Sequence, residues 1–212
     1  QTDSLNQGPD DALHSFVLSD FSSRSAFPRE FQRFLRDEWP AVTRAAREIE
    51  RSLLVQLGVE GLLESHAESY GHMMSANYYP PGGGAQPNGG LRLTEHPDVS
   101  LLTLFPFGAE AGFEYQDAKG AWCALAPSDR VVGFAGELLE WLTGGRIQAL
   151  NHRVAPADGD RFGERFSFSL FSLPRPGTRI ERHPSAAQGG AGARVEAISV
   201  EAYIEAHLSR WL

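Results

Sequence analysis

The stretch His96-Pro97-Asp98-Val99-Ser100-Leu101-Leu102-Thr103-Leu104 sets the terms for the rest of the chain. Residues i and i+2 of an extended strand point to the same side, so His96 and Asp98 can grip one ion from a single strand. A second histidine stands far downstream in Asn151-His152-Arg153-Val154. It must reach the same ion from another strand folded back beside the first. Two imidazoles and one carboxylate occupy one face of an octahedron and leave the other three positions open. That donor set suits a mononuclear, non-haem Fe(II) centre and differs from the closed shell of structural zinc. His96, Asp98 and His152 are therefore the expected metal ligands and the catalytic centre. The run Arg165-Phe166-Ser167-Phe168 repeats the i, i+2 spacing. An arginine among phenylalanines calls for a buried anionic partner. Its planar fork, with a serine hydroxyl beside it, fits a carboxylate.

Outward from these motifs, strand signals begin over 72–79 and recur to Leu173, with Gly, Pro, Asn and Asp between them. Such a rhythm predicts an antiparallel sandwich or barrel. The expected fold class is mostly β with flanking helices, its core a double-stranded β-helix (jelly roll) whose open mouth holds the metal. The loop 80–90 is rich in Pro and Gly but lacks a Gly-Lys-Ser/Thr ending, which argues against a phosphate loop.

Ahead of the core, 1–27 reads as a polar, turn-rich lead-in with little periodic signal. Phe31, Phe34, Leu35, Val42, Ile49, Leu53 and Leu57 then recur at helical spacing. Pro28 suits a first turn, Gly58 a stop, and Pro40 a kink or split. A short helix over 60–66 is expected next, and these helices should pack on the outside of a sheet. Beyond 174–176 an Ala/Gly/Gln-rich loop precedes a final helix capped by Ser199, with Val200, Tyr203, Ile204, Leu208 and Trp211 as its apolar face. The expected organisation is 1–71 as lead-in and packing helices, 72–176 as the core, and 177–212 as a C-terminal loop and helix.

Composition excludes several classes. A chain of 212 residues with 42% hydrophobic content is long enough for a sizeable core. No apolar run approaches a membrane span, and no signal peptide is visible. The net charge of −8 disfavours a nucleic-acid partner, because phosphate backbones attract basic surfaces. The single cysteine, Cys123, rules out an intrachain disulfide and fits a reducing, cytoplasmic compartment, with Cys123 as a small core residue beside Trp122. The partner expected is a small-molecule substrate, with neither nucleic acid nor membrane. Lys119 is the only lysine, a bias toward arginine that fits a GC-rich bacterial genome.

The run Asn77-Tyr78-Tyr79-Pro80-Pro81, the His96 to Leu104 stretch, Gly136-Glu137-Leu138-Leu139-Glu140 to Thr143-Gly144-Gly145, and Asn151-His152-Arg153-Val154 through Arg165-Phe166-Ser167-Phe168 occur in one order over about ninety residues. Together they resemble the isopenicillin-N-synthase-like family of 2-oxoglutarate/Fe(II)-dependent dioxygenases. The resemblance implies Fe(II) as metal, 2-oxoglutarate as cosubstrate and O₂ as oxidant. It also implies that Arg165 and Ser167 bind the distal carboxylate of 2-oxoglutarate, with Asn77 and Tyr79 contacting it from the facing strand. The expected activity is oxidation of a small metabolite by hydroxylation, desaturation or ring formation, with release of succinate and CO₂, in specialised metabolism.

Two alternatives stay open at this level. One is an oxidase of the same family that needs no 2-oxoglutarate, although Asn77 and Tyr79 favour the cosubstrate-dependent branch. The other is a catalytically silent jelly-roll binding protein, against which the intact triad speaks. Where the family commonly shows Asn-x-Gly-Asp and Thr-Asn-Gly, this chain has Gly133-Phe134-Ala135-Gly136-Glu137 and Thr143-Gly144-Gly145. The resemblance further implies an incomplete N-terminal region. Trp141, Phe134 and Phe105 read first as core residues and only second as walls of the pocket, and Arg161 and Ser169 are candidates for substrate contact that alternation alone does not single out.

Overall fold

The computed structural model describes residues 13–22, 27–62, 68–81, 90–156, 163–182 and 197–208. Two antiparallel sheets face each other. The first has five strands in the order β1-β2-β9-β4-β7, formed by β1 (His14–Ser19), β2 (Tyr70–Tyr79), β9 (Arg165–Pro174), β4 (Leu102–Phe105) and β7 (Val132–Ala135). The second has four in the order β3-β8-β5-β6, formed by β3 (Leu93–His96), β8 (His152–Val154), β5 (Phe113–Gln116) and β6 (Trp122–Ala124). A separate ribbon pairs β10 (Arg179–Glu181) with β11 (Ala197–Ser199). This is the expected jelly-roll class.

Alternation along the two longest strands divides their residues between a cavity and an outer face. Tyr79, Asn77, Ser75 and Met73 of β2 face the cavity, as do Arg165, Ser167, Ser169 and Phe171 of β9. The intervening Met74 and Leu170 turn outward, where helices cover them. Those helices are α1 (Arg29–Asp37) and α2 (Trp39–Gln56). Pro40 falls in the first turn of α2, and the helical pattern splits at Glu38 just before it, because a proline lacks the N–H that a continuing helix needs. Leu35, Trp39 and Ala46 pack with Leu18, Met74, Leu104 and Leu170 into one buried layer, so the helices lie on the outside of the sheet as their periodicity predicts. Gly58 ends α2 at φ 66, a left-handed conformation that glycine adopts without penalty.

A buried charged clasp joins α2 to the sheet. Glu50 and His72, 0% and 1% exposed, meet at 3.1 Å. Asp20 accepts the His72 backbone N–H at 2.9 Å and the Trp39 indole N–H at 2.8 Å. Burial opposes charge on both partners. The hydrogen bonds to Asp20 and Glu50 nevertheless hold His72 above its ordinary range, and the bonds from His72 and Trp39 hold Asp20 down at about 2.

Two local expectations are corrected. The lead-in carries a strand: His14–Ser19 buries Ser15 on one face and Leu18 on the other and pairs with β2 from His14↔Tyr78 to Ser19↔Met73. Six residues are too short a window for period-two alternation to stand out among polar neighbours. Of the helix expected over 60–66, Glu60–Leu62 form a 3₁₀ turn, and 63–67 lie outside the described residues. Cys123 is half-exposed on β6, opposite Tyr115, and so is no core residue.

Between β7 and β8, the short helix α3 (Glu137–Leu142) buries Leu138, Leu139 and Leu142 beside Leu54, Leu101 and Leu102. At the far end of the chain, Ser199 Oγ accepts the Ala202 N–H and caps α4 (Val200–Leu208), whose Val200 and Tyr203 join the same cluster. Trp211, the loop 184–194, most of the loop 80–90 and Arg161 lie outside the described residues. Among the described residues, no helix is long and apolar enough to cross a membrane.

Candidate metal centre

His96 and His152 sit directly opposite each other as a cross-strand pair of β3 and β8. The register slips between Leu93 and His96, an irregularity of the kind that re-aims a strand end near a functional site. Asp98 arrives differently from the expectation. β3 ends at His96, and Asp98 lies in the loop after Pro97 rather than on the same strand. Proline has no N–H to extend the ladder, so pairing stops there and the loop carries the carboxylate back toward the two rings.

One donor atom from each of His96, Asp98 and His152 lies within 4.8 Å of the others, and all three residues are buried. The Nε2 atoms of His96 and His152 stand 3.7 and 3.8 Å from Asp98 Oδ1. The remaining donors are turned away and occupied. His96 Nδ1 donates to Thr94 O at 2.7 Å, and His152 Nδ1 donates to Leu150 O at 3.1 Å. Both contacts place the ring proton on Nδ1 and leave the Nε2 lone pair facing the centre, the tautomer a metal ligand requires. Thr103 Oγ1 donates to Asp98 Oδ2 at 2.6 Å, and Ser100 Oγ bonds Thr103 Oγ1 at 2.8 Å. Asp98 Oδ1 is the oxygen that faces the two Nε2 atoms. Phe113 and Phe134 pack their rings against His152 at 5.3 and 5.1 Å between centroids. Nε2, Nε2 and Oδ1 form a converged set that could hold one divalent ion with an open side.

The open side is a cavity of about 680 Å³, the solvent at its mouth included, between the two sheets. All four residues expected beyond the triad line it, and they form two cross-strand pairs: Asn77↔Ser167 and Tyr79↔Arg165. Arg165 is 9% exposed, whereas Phe166 beside it is 49% exposed, so alternation does turn the arginine inward. Its guanidinium lies 4.8 Å from the Tyr79 ring centroid, and its Nε donates to Ala111 O at 2.9 Å. Its Nη1 is buried without a partner among the described residues. A buried, unsatisfied guanidinium nitrogen is costly unless an anion takes its place there. Arg92 lies 5.3 Å from the same Tyr79 ring; burial, and then its neighbour Arg165, push its guanidinium below the usual range.

Of the three aromatic residues weighed as core or cavity wall, only Phe105 lines the cavity. Phe134 backs His152 instead, and Trp141 faces a separate polar cleft with Arg182 over its ring. Ser169 does line the cavity. Several polar residues around the centre escape a reading of the sequence: Thr103 on Asp98, and Ser15 and Ser75 on Asn77. Their only signal is a hydroxyl on the inward side of an alternating strand. Of the other histidines, His14 is exposed, His72 and His207 are buried in structural contacts, and His66 and His183 lie outside the described residues.

Comparison with known proteins bears on this geometry. A 2-oxoglutarate-dependent dioxygenase of Glarea lozoyensis (gloF) is 25% identical over 171 residues, which cover 76% of this chain and 52% of that protein. Gibberellin 2-beta-dioxygenase 2 of Oryza sativa is 28% identical over 203 residues, covering 83% and 53%. The chain thus spans about half the length of either relative. The crystal structure of a full-length Neurospora crassa protein in complex with alpha-KG matches at a TM-score of 0.74 and 20% identity, over 94% of this chain and 66% of that one, a likeness of fold. The sequence pattern of the 2OG-Fe(II) oxygenase superfamily matches residues 70–174, from the first residue of β2 to the last of β9. With the triad and Arg165 facing one cavity inside that span, the chain belongs to the 2OG-Fe(II) oxygenase superfamily.

Proposed function

We propose that this protein is an Fe(II)- and 2-oxoglutarate-dependent dioxygenase that oxidises a C–H bond of a small-molecule metabolite, with release of succinate and CO₂. One observation carries the reading. The converged Nε2, Nε2 and Oδ1 atoms of His96, His152 and Asp98 lie at the same cavity as Arg165, whose Nη1 is buried without a partner among the described residues. The donor set fits Fe(II), and the orphaned guanidinium nitrogen fits a carboxylate. Fe(II), when bound with 2-oxoglutarate and O₂, supplies the oxidising chemistry, while the protein supplies geometry.

The residues divide that task. His96, Asp98 and His152 hold the ion, with their outer atoms pinned by Thr94, Thr103 and Leu150. Arg165 and Ser167 receive the distal carboxylate of 2-oxoglutarate, and Asn77 and Tyr79 complete its cradle from β2. Charges then balance: the aspartate and the dianionic cosubstrate offset the divalent ion and the arginine. Val99, Met73, Phe171 and Leu173 form an apolar wall of the cavity, suited to exclude water and to accept a hydrocarbon portion of the substrate. The rice relative's name points to gibberellin, and the Neurospora crassa protein was also crystallised with thymine, both small molecules. A small metabolite, in cytoplasmic specialised metabolism, is the substrate class proposed here. The segment 72–176 carries the chemistry, with 1–71 and 177–212 as its flanks.

The test pairs ligand binding with turnover. In Arg165→Leu, 2-oxoglutarate binding should weaken by roughly thirtyfold or more, because losing a charge-assisted, buried contact costs about 2–5 kcal/mol. Binding of the divalent ion should not change. A panel of small metabolites, scored by substrate-dependent succinate release, identifies the substrate class. Product formed at full rate without 2-oxoglutarate would replace this reading with the oxidase one.

A further inference from the structure

Asn77 faces the cavity from β2, directly across from Ser167 of β9. Two hydroxyls end on one atom of its side chain. Ser15 Oγ, from β1, donates to Asn77 Oδ1 at 2.6 Å, and Ser75 Oγ donates to the same oxygen at 2.8 Å. Both serines are buried, at 6% and 2% exposure. A carboxamide oxygen has two lone pairs, and here each has its donor. The Nδ2 group, with two N–H bonds, is the half of the amide left for the cavity.

We infer that Ser15 and Ser75 are positioning residues for cosubstrate binding: they lock the Asn77 amide so that Nδ2 presents its protons to the anion held beside Ser167 and Arg165. The inference rests on the reading that 2-oxoglutarate occupies this cavity. Without the lock, the amide is free to turn and offer Oδ1, an acceptor, to an anionic ligand. Donors fixed in advance need no reorganisation when the ligand arrives. The lock also gives edge strand β1 a role at the site. Its register on β2 sets Ser15 opposite Asn77, and alternation buries Ser15 while the next residue, Phe16, turns outward at 39% exposure.

The experiment measures 2-oxoglutarate binding to Co(II)-loaded protein by calorimetry, so no turnover is needed. Ser15→Ala and Ser75→Ala should each weaken binding about three- to tenfold, the worth of one neutral hydrogen bond, with Co(II) affinity unchanged. Ser15→Thr keeps the hydroxyl and should bind like wild type. In an Asn77→Ala background, Ser15→Ala should add no further loss. Asn77→Asp keeps an acceptor for both serines but turns a carboxylate on the ligand, and should bind more weakly than Asn77→Ala. Wild-type affinity in both serine-to-alanine variants, or an undiminished Ser15→Ala effect without Asn77, would overturn the lock. Failure of the wild-type Co(II) protein to bind 2-oxoglutarate at all would instead overturn the proposed function on which it rests.

Discussion

Gly136→Ala should damage the metal centre without replacing a ligand. Gly136 precedes α3 at φ −101 and ψ 176, an extended conformation open to any residue, so the restriction is steric. A Cβ there would lie 2.1 Å from Ser100 O, 2.7 Å from Ser100 Oγ and 2.8 Å from Asp98 O. Two of these are backbone carbonyls and cannot rotate away as a side chain can. They are also clamped, since Glu137 N donates to Asp98 O at 2.7 Å and Leu138 N donates to Ser100 O at 3.1 Å. Relief requires the Ser100 contact to open from 2.1 Å to beyond 3.0 Å, which drags the loop carrying Asp98. Overpacking of this kind costs about 1–3 kcal/mol, or a fall in Tm of roughly 2–12 °C for a chain of this size. Disturbing the support of a ligand lowers metal affinity by about 10–100-fold. Co(II) titration of the purified variant, with thermal unfolding in the metal-free state, measures both. A metal-free Tm and a Co(II) affinity equal to wild type would refute the steric argument. A lower Tm with unchanged affinity would show that α3, not the Asp98 loop, gives way.

Replacing His96 or His152 with Ala should abolish activity and sharply weaken uptake of one Fe(II) per chain; unchanged iron stoichiometry in both variants would remove the triad as the ligand set. Thr103→Val should weaken Co(II) binding by about tenfold while leaving the fold intact, because it frees Asp98 Oδ2 without creating a large cavity. The Asp20–His72–Glu50 clasp makes stability pH-dependent in a definite direction. His72 is held above its ordinary value, so its contribution is complete below the unfolded-state value of about 6.5 and is lost as pH rises through the raised one. Asp20 contributes above about 3.9 and loses that contribution as pH falls through about 2. The Tm gap between metal-free wild type and His72→Gln should therefore be widest near about pH 5 and narrow at alkaline pH; a gap that widens with pH would contradict the clasp.

What the chain's letters determine by themselves is the set of groups and their rhythm. His96, Asp98 and His152 are legible because a metal accepts few donor types, and Arg165 is legible because a charge amid phenylalanines needs an anion. Period-two alternation places Arg165 and Ser167 on one side of β9, and a period near 3.6 marks α1 and α2, with Pro40 dividing them. The tertiary structure alone decides which separate strands meet. Asp98 comes from a loop rather than from β3, since where a ladder stops depends on its partner strand as well as on its own residues. Whether Trp141 and Phe134 wall the pocket or pack in the core is open in sequence and is settled by the fold, because an aromatic ring goes wherever neighbouring elements leave apolar space. Thr103 on Asp98, Thr94 and Leu150 under the two imidazoles, and Ser15 reaching Asn77 from a strand 62 residues earlier are invisible to any local pattern. Serine, threonine and backbone carbonyls occur throughout the chain, and only the pairing of distant strands selects the few that hold a ligand's outer atom.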